Sequence, residues 1–171
     1  MKTIGQLLEI SRGDLPSIYC DMDMVLCDFL GASEKVLGVS FPDADKNTRW
    51  NKITNTKNFW SSMEWMPGAK RLYSYIMKYD AHILSAYSSR DGNSRNGKIK
   101  WLNKNTDFKR SKIHLVLRSQ KQAFAMTDGN PNVLIDDYIK NIKEWENKGG
   151  IGVHHTSVPK SINELKRLGF K

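Results

Sequence analysis

Apolar residues in this chain come in short runs, and several of these runs end on a polar residue at a turn. "IYCDMD" opens with a run at 17–20, and "AHILSAYS" holds a second at 81–84. "KIHLVL" (112–117), "NVLIDD" and "IGVHHT" supply three more. Short apolar runs bounded by turn residues predict strands buried on both faces. Between them the apolar spacing changes to that of helices. A helix is expected over 3–10, and another over 29–38, closed by Gly38. "PGAKRLYSYIMKY" places Pro67 at a helix start, with Leu72, Tyr75, Ile76 and Tyr79 on one face. Further helices are predicted from "SRNGKIKWLNKN", over 138–148 before "GG", and in "SINELKRLG" with Ser161 as its cap. The polar, aromatic-rich stretch 41–65 offers Asp43 and Thr56 as caps of two short helices.

Strands alternating with helices predict an α/β fold, a central parallel sheet flanked by helices. No repeat or low-complexity linker interrupts the pattern, and 171 residues suit one domain with a small insertion. With 39% hydrophobic and 26% charged residues the chain reads as a soluble globular protein rather than a disordered one. No run is long enough for a membrane helix, and "MKTIGQLLEISRGDLP" is too polar for a signal peptide. The two cysteines, Cys20 and Cys27, are expected as small buried residues in a reducing cytoplasm. A net charge of +9 favours anionic ligands without choosing among them.

The polar run-ends carry the chemistry. In open α/β sheets ligands bind beyond the carboxyl ends of the strands. Asp21 and Asp23, Ser85, and Asp136 with Asp137 all stand at such ends. Four carboxylates brought together repel one another unless a cation holds them. Oxygen ligands without histidine or cysteine suit Mg²⁺, completed by a substrate phosphate. Ser85 adds a hydroxyl, and Lys121 returns a positive charge to the rim. This is a kit for phosphoryl transfer.

"DMDMVLCDF", "HILS", Lys121 and "VLIDD", in that order, resemble the four motifs of the haloacid dehalogenase (HAD) superfamily of phosphohydrolases, over residues 17–153. The chain is similar, more closely, to the 5'(3')-deoxyribonucleotidases. That family opens with DMDGVLADF, carries an aromatic pair before a PGA turn and ends its core with LLIDD. The counterparts here are "DMDMVLCDF", "NFWSSMEWMPGA" and "VLIDD", and the family's lysine before a tryptophan is matched by Lys98 in "GKIKW". The small size and the "GGIGVHH" ending also resemble HAD proteins of bacteriophages.

The resemblance implies a Rossmann-like HAD core at 17–29 and 67–171, an N-terminal extension at 1–16, and a small helical cap at 30–66. It implies Asp21 as nucleophile and Asp23 as acid and base. Ser85 and Lys121 would hold the phosphoryl oxygens. Asp21, Asp23, Asp136 and Asp137 would bind Mg²⁺, Asp136 being favoured as a direct ligand. Phe29, Phe59, Trp60, Ala86 and Lys98 are the implied substrate contacts, the aromatics by stacking on a base. The expected substrate is a deoxyribonucleoside 5'(3')-monophosphate. A nucleic-acid end is the alternative substrate, and a non-catalytic nucleotide-binding protein the alternative class. A homodimer is one assembly the reading allows without choosing it, and the cytoplasm, the host's for a phage protein, is the expected place.

Three departures stand out. Met24 replaces the family's glycine, Ser85 its threonine, and "AYSSRDGNSRNG", with Arg90 and Arg95, its shorter loop. His154 and His155 have no partner at ligand spacing and are read as strand-end residues.

Overall fold

In the computed structural model, which describes residues 15–171, the first apolar run forms β1 (Ile18–Cys20), buried at every position. β1 is the middle of a five-stranded sheet in which every pairing is parallel. Its neighbours are β2 (His82–Ala86) on one side and β6 (Val133–Asp136) on the other. β3 (Ile113–Val116) extends the sheet beyond β2, and β7 (Ile151–His154) extends it beyond β6. A two-stranded ribbon, β4 (Met126–Thr127) with β5 (Asn130–Pro131), was not expected from the sequence. Its turn is "DG", with Asp128 and Gly129 both at positive φ. The helix expected over 3–10 lies outside the described residues.

Alternation along the strands divides the core in two. Ile18, Cys20, Ile83, Val133 and Ile135 face one layer, packed by α3 (Ala69–Met77), α4 (Ser94–Asn105) and α6 (Val158–Arg167). Tyr19, Leu84 and Leu134 face the other, covered by α5 (Ile139–Asn147) through Ile142 and Trp145. Both faces are therefore closed, as a parallel sheet requires. Cys20 and Cys27 are free thiols buried in the first layer.

The segment after β1 carries α1 (Phe29–Leu37) and α2 (Lys46–Asn55). It leaves the sheet at Cys27 and returns at Trp65, and these two residues form an antiparallel bridge. Asp28 N–H donates to Glu64 O and Met66 N–H to Leu26 O, at 2.9 and 2.7 Å. Ile53, Phe59, Trp60 and Met63 of this segment belong to the same apolar cluster as the sheet.

Three expected caps differ. One helix, not two, occupies 41–65, and its cap is Asp45, whose Oδ2 accepts from Thr48 N–H at 2.9 Å. Asp43 instead accepts from Ser40 Oγ, and Thr56 ends α2, its hydroxyl donating to Lys52 O. α6 is capped by Ser157 rather than Ser161. Pro159 in its first turn marks that earlier start, and Ser161 is buried against His155.

Candidate active site

The chain turns sharply at the end of β1. Met22 O accepts from Val25, Leu26 and Cys27 N–H, and Met24 takes a left-handed conformation with φ 61°. That conformation costs a side chain with a Cβ about 1–2 kcal/mol. Part of the cost is offset locally, because Met24 Sδ accepts from Leu30 N–H in the first turn of α1 at 3.4 Å. The turn sends the carboxylates of Asp21 and Asp23 over the sheet's carboxyl end. Ser85 in β2 and Asp136 in β6 join them from the strands on either side.

Two lysines organise this rim. Lys121 Nζ lies 3.0 Å from Asp21 Oδ1 and 2.7 Å from Asp136 Oδ2, with Lys121 and Asp136 buried and Asp21 almost so. Two of its three N–H groups are thereby used. Burial works against this ammonium, but Asp21 and Asp136 outweigh it and raise its pKa, so it stays charged. Lys98, from α4, is wholly buried. It donates to Asp23 Oδ2 at 2.8 Å, Ser85 Oγ at 3.1 Å and Ala86 O at 2.6 Å. Because Lys98 occupies an acceptor position on Ser85, the hydroxyl's own hydrogen is left to donate elsewhere.

Asp23 is the counterpart held differently. Burial pushes its carboxyl upward and Asp21 adds to the shift, against the pull of Lys98. Its Oδ1 is buried and has no hydrogen-bond partner among the described residues. A buried orphan acceptor is costly unless a donor arrives or the group takes a proton. Both suit an acid.

One oxygen each from Asp21, Asp136 and Asp137 lies within 4.8 Å of the others. Burial, Asp21 and Asp136 together push Asp137 up to about 7. Oxygens of three carboxylates brought this close form a hard-cation donor set. The residues present fit Mg²⁺.

The expected substrate residues occupy three settings. Ala86 meets Lys98 through its backbone carbonyl. Phe59 and Trp60 are 4% and 3% exposed. The Trp60 ring stacks on Phe29 with centroids 5.5 Å apart, meets Phe59 edge-on, and has Lys98 Nζ 5.3 Å from its centroid. Its indole N–H donates to buried Asp91 at 2.6 Å. Phe29 alone of the three is only half-buried. A cavity of about 430 Å³ opens beside Met24, lined also by Met66, Arg71 and His155 among others. His154 is exposed and His155 bonds Ser161, as strand-end residues do. Asp91, Arg118 and Asn141 were not among the sequence candidates. Asn141 Nδ2 donates to Asp136 Oδ2 at 3.0 Å, and its spacing from "DD", in the first turn of a predicted helix, was the available signal.

No helix among the described residues is long and apolar enough to cross a membrane. No family model and no curated relative matches the chain. Among solved structures it is similar to a hydrolase from Streptococcus pneumoniae TIGR4, with a TM-score of 0.51 at 11% identity, covering 89% of this chain and 98% of that one. It is also similar to a hydrolase from Pseudomonas syringae, with a TM-score of 0.50 at 20% identity and 90% coverage of each chain. At these identities the likeness is one of fold, a central five-stranded parallel sheet flanked by helices; in this chain Asp21 and Asp136 stand where the strand order reverses, between β1 and β6.

Proposed function

We propose that this protein is a Mg²⁺-dependent phosphomonoesterase of the HAD type, acting through an aspartyl-phosphate on deoxyribonucleoside 5'(3')-monophosphates. The observation that carries the reading is the pair of lysine-bound aspartates, Asp21 on Lys121 and Asp23 on Lys98, two residues apart at the end of β1. That both structural neighbours are described as hydrolases is in keeping with it.

Asp21 is the nucleophile. Its carboxylate oxygen bonds to phosphorus as the P–O bond to the leaving group breaks, and the leaving-group oxygen takes the proton of Asp23. Burial raises the pKa of Asp23, a shift in the direction that favours proton donation at this step. Asp23, now ionised, accepts a proton from the water that attacks phosphorus, and the phosphorus–Asp21 bond breaks. Ser85 O–H and the remaining N–H of Lys121 donate to the phosphoryl oxygens. Asp21, Asp136 and Asp137 would hold the cation, with the backbone carbonyl of Asp23 as a further ligand. When bound, Mg²⁺ neutralises charge between the carboxylates and the phosphoryl group. The cavity beside Met24 and the exposed part of Phe29 offer the leaving group space and an aromatic contact.

The test is phosphate release from deoxynucleotides, ribonucleotides, sugar phosphates and phosphorylated oligonucleotides with Mg²⁺. Deoxynucleoside monophosphates should lead, and Asp21→Asn should abolish turnover without changing the melting temperature by more than a few degrees. Wild-type rates in Asp21→Asn would end the covalent mechanism.

A further inference from the structure

Lys121 stands on a 3-10 turn (Arg118–Phe124), not on a strand or an α-helix. Such turns have poor hydrogen-bond geometry and little stability of their own. Yet the site needs the ammonium within 3.0 Å of both Asp21 and Asp136. Something outside the turn must hold it.

The first residue of the turn does so. Arg118 reaches across to α5 and grips Glu144 with two N–H groups, Nη1 to Oε2 at 2.9 Å and Nη2 to Oε1 at 3.3 Å. The same Nη1 donates to Asn141 Oδ1 at 3.0 Å. This last bond decides which way the Asn141 amide points. With its oxygen committed to a cation, its nitrogen faces the other way, toward Asp136 Oδ2 at 3.0 Å. A reversed amide would set two oxygens against each other and two donors together. Asp136 Oδ1 is meanwhile fixed by Tyr138 N–H at 2.8 Å. The carboxylate thus has one orientation, and the oxygen that receives Asn141 is the one that receives Lys121.

We infer that Arg118 is a positioning residue: clamped between Glu144 and Asn141, it holds the Lys121 turn and the Asp136 carboxylate in register with Asp21. The inference rests on the phosphatase reading of Asp21. Arg118 touches none of the reacting groups; its effect passes through Asn141 to Asp136 and through the backbone of its own turn to Lys121. The ordinary alternative is a half-exposed ion pair that contributes little.

Two variants remove the clamp from opposite ends. Arg118→Met should lower kcat on a small aryl phosphate by about ten- to a hundredfold, with KM changed less than about threefold. Glu144→Gln, nearly isosteric, should lower kcat in the same direction. The double variant should be no slower than Arg118→Met alone, because one clamp can be lost only once. Arg118→Lys should restore the rate only in part, since an ammonium lacks the second arm of the fork, which Arg118 uses on Glu144 Oε1. Amide hydrogen exchange in 118–124 should quicken while α4 keeps its protection. If Arg118→Met does not fold, Glu144→Gln and its exchange pattern carry the test. Wild-type kcat in the folded variants, additive losses, or unchanged exchange in 118–124 would each overturn the inference. Faster exchange confined to 118–124 in a protein whose wild type cleaves no phosphate ester would keep the clamp and discard the phosphatase reading.

Discussion

The ammonium of Lys98 lies 2.8 Å from Asp23 Oδ2 and is wholly shielded from solvent. Its two other acceptors, Ser85 Oγ and Ala86 O, complete three partners for three N–H groups. The pocket is therefore built for a compact ammonium. Lys98→Met should lower kcat by roughly 10²–10³, the usual effect of deleting a preorganised charge partner. It should also cost roughly 1–3 kcal/mol of stability, because Ser85 Oγ and Ala86 O lose a buried donor. Lys98→Arg should not rescue it, as a planar guanidinium cannot meet three converging acceptors. Steady-state rates and melting curves on both variants decide this, and recovery in Lys98→Arg would refute it.

Asp21, Ser85 and Asp136 were legible in the sequence for one reason. Each ends a run apolar enough to be a strand buried on both faces, where a carboxylate or hydroxyl has no structural purpose. Lys98 was singled out only by motif and assigned to substrate; its bond to Asp23 spans 75 positions and depends on how α4 docks. Arg118 left no such trace and Asn141 only its spacing from "DD", because their pairing follows from a short 3-10 turn meeting α5, and such turns have no apolar period. The α6 cap was legible and misread. Ser157 and Ser161 are both plausible by type, and Pro159 distinguishes them, since proline belongs in a first turn.

Removing divalent cations should abolish activity and lower stability at neutral pH. Asp137, pushed up to about 7, binds a proton in the native state at pH values where the unfolded chain has already lost it. Between about 4 and 7 the native state holds more protons, so this group's contribution to stability falls as pH rises. Cation binding reverses that loss. Mg²⁺ should raise the melting temperature more at pH 8 than at pH 5, where a proton competes for Asp137. At a hundredfold excess over Kd the stabilisation is about 2.7 kcal/mol. Thermal shift with Mg²⁺ against EDTA at both pH values measures it; an equal shift at both would remove Asp137 from the metal set.

A second pH effect lies elsewhere. His82 Nδ1 is 2.9 Å from His114 Nε2, and its ring stacks on Tyr19 at 4.5 Å. Burial, Lys112 and His114 push His82 down to about 4. An unfolded histidine titrates near 6.5, so between about 4 and 6.5 the unfolded state binds more protons. Stability is therefore complete above pH 6.5 and is lost as pH falls toward 4. His82→Gln should flatten the acid side of the melting-temperature profile while leaving kcat at pH 7.5 unchanged. An unchanged acid slope would show that the histidine pair does not set it.

The aromatics expected to stack on a base divide by exposure, and that division predicts different phenotypes. Trp60 is stacked on Phe29, meets Phe59 edge-on and is tied to buried Asp91. Its Cβ also lies against Gly97, where an added Cβ would approach to 2.4 Å. A residue so enclosed meets a nucleotide base only after the aromatic cluster opens. Trp60→Ala should cost about 3–5 kcal/mol as a cavity mutation. For a chain of this size that lowers the melting temperature by roughly 6–20 °C, and it should slow a small aryl phosphate and a deoxynucleotide alike. Phe29, half-buried, has surface to offer. Phe29→Ala should raise KM for the deoxynucleotide by about tenfold, the value of one base stack. It should change KM for the aryl phosphate by less than about twofold, because the proposed reacting groups lie at the sheet's carboxyl end and do not include Phe29. Kinetics on both substrates beside melting curves separate the cases. A Trp60→Ala protein with an unchanged melting temperature and a loss confined to the deoxynucleotide would mean that the cluster opens to take the base, and that Trp60 rather than Phe29 reads it.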